Sequence, residues 1–197
     1  MFCKINFFTS LLSDRQLESI KKAILKTTSI FKRFYSGDKS SIKEEYTKKV
    51  FDQLFNNPQS PYKDIKVESV WPDWLVGPTG RRLELDGLVE EADFAFEMNG
   101  PYHNSPNLIA KMFGISLAEA TKRVQAVQVK DQIKVDGCKN RGIDLLILDY
   151  KMDYKDIVEL CSKYFTDLVN RKFPGENINW RDFHIDWRGI LNDVKRL

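Results

Sequence analysis

The chain has little of several things, and each shortage excludes something. Only three cysteines occur among 197 residues, Cys3, Cys138 and Cys161. They are odd in number and widely spaced, so they match neither a zinc-ligand pattern nor a disulfide framework. A reducing, intracellular compartment is the better expectation. No apolar run approaches the roughly 18 residues that a membrane span needs. The opening segment is apolar, but Lys4 and Asn6 interrupt it and no small-residue cleavage site follows, so the protein is not expected to be secreted. There is no internal repeat, low-complexity tract or interdomain linker. The formal net charge is only +3, too small by itself to demand a polyanionic partner.

What is present is ordinary in bulk and uneven in distribution. Hydrophobic residues make up 42% and charged residues 30% of the chain, as in a soluble globular protein with one good core. The N-terminal quarter is basic: Lys21, Lys22, Lys26, Lys32, Arg33, Lys39, Lys43, Lys48 and Lys49 fall there. The stretch around residues 84–97 is acidic. A basic flank beside an acidic cation site would suit a phosphodiester, although solvated helix faces are lysine-rich as well.

Hydrophobic periodicity predicts a helix over 14–34 and a second from Ser41, where Ser41-Ile-Lys-Glu44 has the capping-box form, burying Tyr46, Val50, Phe51, Leu54 and Phe55. Residues 65–70 read as a strand. Residues 81–99 alternate apolar and polar as two strands of a hairpin, with Glu90 and Glu91 at its turn. A short helix follows near 108–113. A longer one runs from Ser116, with the capping box Ser116-Leu-Ala-Glu119, to about Asn140. The nearly continuous apolar run 143–148 predicts a strand buried on both faces. Residues 153–171 form another amphipathic helix, and an aromatic tail carries Trp180, Phe183 and Trp187. The expectation is a single α/β domain, with an N-terminal helical region over 1–40, a core over 41–150 and a C-terminal helix and tail over 151–197.

Asp86 and Glu97 are the most informative pair. With a tight turn at Glu90–Glu91, Glu97 lies one diagonal step from Asp86, about 7–8 Å away on the same face. Moving the turn centre by one residue sets the two directly opposite. In either register the carboxylates converge, and converging carboxylates repel or share a cation. Oxygen-only ligands favour Mg²⁺ or Mn²⁺. A second clue lies on the long helix, where Gln128, Asp131 and Lys134 share a stripe with Leu117, Ala120, Val124, Val127 and Cys138. Charge on an inward stripe is costly unless paired or functional, and an Asp131–Lys134 pair at i,i+3 is the plain alternative.

The segments Trp71-Pro-Asp-Trp-Leu, Leu83-Glu-Leu-Asp86-Gly, Ala95-Phe-Glu97-Met-Asn99-Gly100-Pro-Tyr-His103 and Gln128-Val-Lys-Asp131-Gln-Ile-Lys134, in that order, resemble the PD-(D/E)-x-K superfamily of restriction-endonuclease-like nucleases. The similar branch includes very-short-patch-repair-like and viral or mobile-element endonucleases. The resemblance covers roughly residues 41–150. It implies a restriction-endonuclease-like core, a mixed four-stranded sheet flanked by helices, and a metal-dependent endonuclease that cleaves nucleic acid, DNA rather than RNA. It further implies Asp86 and Glu97 as metal-binding acids, with Glu44 as a third and Glu45 its alternative. His103 would be a general acid/base or leaving-group contact, Gln128 would orient water, and Asp131 would fix Lys134. One position departs from the pattern. Asn99 stands where the signature has lysine, and Lys134 is the candidate to supply that charge from the helix. Lys48, Lys49, Arg81, Arg82 and Lys130 are the candidate nucleic-acid contacts. The competing expectations are a nucleic-acid-binding module without catalysis and a protein-interaction domain built on the aromatic tail.

Overall fold

The structure is a computed structural model that describes residues 42–100 and 105–196. The helix expected over 14–34, most of the basic N-terminal quarter, Ser41, Cys3 and His103 lie outside the described residues. The chain divides into two compact units. Among the described residues, one comprises residues 42–72, 84–100 and 137–196, the other residues 73–83 and 105–136. The chain crosses between them repeatedly, and no single linker marks the division.

The first unit holds a four-stranded mixed sheet. In chain order it contains α1 (Ile42–Phe55), β1 (Glu68–Val70), β2 (Leu85–Val89), a 3₁₀ turn (Glu90–Ala92), β3 (Phe94–Asn99), β4 (Asp144–Asp149), α4 (Tyr154–Lys172), a second 3₁₀ turn (Trp180–Asp182) and α5 (Trp187–Val194). The spatial order is β1-β2-β3-β4. β1 and β2 are antiparallel, as are β2 and β3, while β3 and β4 run parallel. The sheet is therefore α/β and mixed, as the sequence implied.

Helix α1 forms where the periodicity placed it, and Tyr46, Val50, Phe51, Leu54 and Phe55 are all fully buried. They pack with Phe94, Phe96 and Met98 of β3, Leu146 and Leu148 of β4, and Ile157, Cys161, Phe165 and Leu168 of α4. Phe51 lies at the centre of this core, its ring centroid 4.5 Å from that of Phe94 and 5.7 Å from that of Phe96. Strand β4 is not buried on both faces as its apolar run suggests. It is an edge strand, with Leu146 and Leu148 inward and Ile147 45% exposed. The aromatic tail folds back onto helices: Phe183 is buried, its ring 5.5 Å from Phe165. Cys138 and Cys161 are buried.

The second unit holds the loop 73–83, α2 (Pro106–Phe113) and most of α3, which runs from Leu117 to Arg141 and so ends in the sheet unit. The loop is a small hairpin with Val76 bridged to Arg82. Ser105 caps α2, its hydroxyl accepting from the Leu108 amide, with Pro106 in the first turn. Ser116 caps α3: its hydroxyl accepts from the Glu119 amide at 3.2 Å. Ile109, Ala120 and Val124 form the unit's own apolar cluster, over which Phe113 packs. At the other end, in the sheet unit, Gly142 takes φ +73°. Its amide and that of Ile143 close back onto the Lys139 and Cys138 carbonyls, a Schellman ending that requires the left-handed residue and turns the chain into β4.

Candidate functional site

The hairpin settles the register of the two acids. Gly87 pairs with Phe96, Leu88 with Ala95 and Val89 with Phe94. One step further in that register, Asp86 stands directly opposite Glu97. The connection is longer than a two-residue turn. Glu90–Ala92 make one 3₁₀ turn and Asp93 adopts the left-handed conformation at φ 45°, which moves the hairpin centre by one residue. Of the two registers open from sequence, the directly opposed one is formed.

The backbone ladder stops where the acids begin. The Asp86 amide donates to Glu97 Oε1 at 3.3 Å, and the Met98 amide donates to Asp86 Oδ2 at 2.8 Å. Each carboxylate thus takes an amide from the opposing strand, which holds the pair in register with each other. Glu97 is only 6% exposed, whereas Asp86 is half-buried. Close packing below the pair explains Gly87. A Cβ there would lie 2.1 Å from Phe96 Cε1, so only glycine lets the Phe96 ring cross under β2.

Glu44 comes to this region from the first turn of α1. Its Oε1 accepts from the Lys48 ammonium at 2.8 Å, and the Ser69 hydroxyl of β1 lies 3.4 Å from the same oxygen. That hydroxyl is also 3.3 Å from the Asp86 carbonyl. Burial, then the nearby Asp86 charge, push the Glu44 carboxyl above its ordinary range, against the opposing pull of Lys48 and Ser69. Glu45 lies 3.8 Å from Lys48. Lys48 itself is 9% exposed. It is an internal counter-ion for Glu44 rather than a solvated phosphate contact. Lys43, one residue earlier, donates to the carbonyls of Tyr150 and Met152 after β4 and ties the start of α1 to the sheet. Neither Ser69 nor Lys43 stands out in the sequence, since a serine in an alternating strand and one lysine among many carry no signal of long-range contact.

Asn99 closes β3 two residues beyond Glu97, on the same strand face and level with Asp149 of β4. The expected residues of the long helix and of the 73–83 loop belong to the second unit. Gln128 is exposed on α3, and Asp131 and Lys134 are half-buried there. Burial, then the Lys134 charge one turn on, hold the Lys130 ammonium below its ordinary value. Arg81 and Arg82 are exposed on the hairpin loop, where Arg82 pairs with Asp73 at 2.7 Å. Lys49 is half-buried on α1.

Among the described residues, no three or more His, Cys, Asp or Glu side chains are grouped to hold a metal ion. The opposed pair still fits a hard cation in its chemistry. Both groups are carboxylates held side by side, and Mg²⁺ is commonly bound by one or two carboxylates, with waters and substrate phosphates completing its six oxygens. No family model, curated protein or solved structure matches the chain.

Proposed function

We propose that the chain is a metal-dependent endonuclease that hydrolyses phosphodiester bonds of nucleic acid, DNA rather than RNA, on a restriction-endonuclease-like core. The observation that carries this reading is the Asp86–Glu97 pair, directly opposed and each anchored by an amide of the other strand. Carboxylate oxygens held opposite each other suit a hard cation such as Mg²⁺ or Mn²⁺.

Asp86 and Glu97 would hold the ion. When bound, it supplies Lewis acidity toward the scissile phosphate and lowers the pKa of a coordinated water. The chain's own contribution is preorganisation. The two amide bonds fix the carboxylates before substrate arrives, so little reorganisation is needed. The Asn99 amide, on the same face as Glu97, can orient a water or a phosphate oxygen but carries no charge. The cationic role falls to Lys134, with Gln128 and His103 as water or leaving-group contacts, on the strength of the sequence resemblance.

The test uses the full chain with single- and double-stranded DNA and RNA, in Mn²⁺, Mg²⁺ or EDTA. Asp86→Asn and Glu97→Gln are the informative variants, because each keeps an oxygen that can accept its backbone amide and removes only the charge. Cleavage should require the ion and fall by roughly a hundredfold or more in either variant, as loss of a metal ligand does. Lys134→Ala should bind substrate and cut it slowly. Cleavage that persists in EDTA and in Asp86→Asn would falsify the assignment. Salt-dependent binding with no cleavage under any condition would favour the non-catalytic binding module.

A further inference from the structure

The tail after α4 forms, with that helix, an open groove of about 390 Å³ that the metal reading does not use. Lys155, Ser162, Trp180, Arg181, His184 and Trp187 are among the residues that line it, and all belong to the sheet unit. The second 3₁₀ turn sets Trp180 beside α4. The Lys163 ammonium lies 4.9 Å from the centre of its ring and the Arg181 guanidinium 5.3 Å. Arg188 lies over Trp187 in the same way, at 4.9 Å. Such contacts hold partly exposed indoles in place. Glu159 is the single carboxylate among the lining residues, and Lys163 pairs with it at 2.5 Å. That hydrogen bond and charge, then the charges of Lys155 and Arg181, hold the Glu159 carboxyl below its ordinary range. Asp156 and Asp182, next in the chain to Lys155 and Arg181, are exposed and do not line the groove. Three cations therefore act on one anion, and the groove presents an excess of positive charge.

We propose that this groove binds an unpaired nucleotide of a nucleic-acid strand, its base against Trp180 or Trp187 and its phosphate on Arg181 and Lys155. Indole rings beside surplus cations match both halves of a nucleotide, and stacking accepts any base. A solvated lysine face would offer the charge without the rings. The Arg181 guanidinium already lies against Trp180, so less side-chain freedom is lost when a phosphate arrives. Ser162 is only 3% exposed yet lines the groove, and its hydroxyl can donate to a phosphate oxygen. The inference goes beyond the proposed cleavage and stands without it, because binding in the groove needs no metal ion and uses none of the candidate acids.

The experiment is fluorescence anisotropy of a labelled oligothymidylate with the full chain in EDTA, over a series of salt concentrations, with polyglutamate as the competing probe. The wild type should bind the single strand, and Trp180→Ala should weaken that binding roughly tenfold or more through lost stacking. Arg181→Ala should weaken it and flatten the salt slope by about 0.7, the share of one strand phosphate. Lys139→Ala removes an exposed charge in the last turn of α3, outside the groove, and should leave affinity and slope unchanged. Arg181 is exposed, so its variant decides the matter should Trp180→Ala fail to fold. No binding of the single strand, or losses in Trp180→Ala and Arg181→Ala no larger than in Lys139→Ala, overturns the inference. Polyglutamate bound as tightly as oligothymidylate also overturns it, by making the groove a site for acidic protein. Cleavage in Mn²⁺ reports separately on the endonuclease reading. An inactive chain that binds the strand through Trp180 and Arg181 leaves the groove standing, and an active chain indifferent to both loses the groove alone.

Discussion

Replacing Gly87 with alanine should cost stability and disturb the carboxylate pair together. The added methyl would sit 2.1 Å from Phe96 Cε1 and 2.5 Å from Cδ1, well inside van der Waals contact. The ring has no easy escape. Phe96 is fully buried, with Phe51 stacked 5.7 Å away and itself fully buried. Overpacking of this kind costs about 1–3 kcal/mol, and the more restricted unfolded chain returns about 0.4–1 kcal/mol at most. A net loss of about 1–2 kcal/mol corresponds to a fall in Tm of roughly 2–8 °C at this chain length. Circular dichroism during heating reads it. Phe96→Leu removes the outer ring atoms at their own cost, so Gly87→Ala in that background should be cheaper by about 1 kcal/mol, the signature of direct contact. An unchanged Tm for Gly87→Ala, or strictly additive losses in the double variant, would refute the close approach of ring and strand.

Two further perturbations test the core and the charge pattern. Phe51→Ala empties the space against Phe94 and Phe96 and should cost about 3–5 kcal/mol, read as a lowered denaturant midpoint with unchanged slope. Asp52 accepts the Val67 amide at 2.8 Å, and burial is the first cause that raises its carboxyl above the ordinary 3.8. Because the folded form holds its proton more tightly than the unfolded form, stability conferred by protonation is lost as pH rises from about 3.8 through the raised value. Asp52→Asn can keep the amide contact without titrating, so its stability relative to wild type should grow over that interval; a constant difference would contradict the burial argument.

The fold was legible wherever one face of an element is buried against one partner. The positions expected to be buried on α1 are all at zero exposure, joined there by Thr47, because a single apolar stripe meets a single core. The run 143–148 misled for a physical reason: an apolar composition does not tell a central strand from an edge strand, and β4 is at the edge. The acids were legible as a pair but not in register. That depended on whether Glu90–Asp93 form a tight turn or a 3₁₀ turn with a left-handed Asp93, and composition does not distinguish them. Lys48 was legible only as a charge. Nothing in a lysine-rich segment shows which ammonium is drawn inward, since that choice belongs to Glu44 one turn before it and to Ser69 on a separate strand.

The carboxylate pair and the core are therefore one mechanical object. Phe96 and Glu97 are neighbours on β3, and Gly87 and Asp86 are neighbours on β2, so the ring that fills the core and the acids above it share the same peptide units. Backbone pairing ends at Gly87–Phe96, and the next two amides, of Asp86 and Met98, are satisfied by side-chain oxygens. Twisting the hairpin to relieve a clash at Gly87 must lengthen at least one of those bonds, since both depend on the same strand separation. The Gly87→Ala variant should consequently lose Mn²⁺ affinity at temperatures where it is still folded, whereas Phe51→Ala, whose cavity lies against the aromatic core rather than between the strands, should lose stability first and retain more of the affinity. Equal losses of affinity in the two variants at matched folded fraction would show that the acids respond to global loosening, not to the geometry of the hairpin.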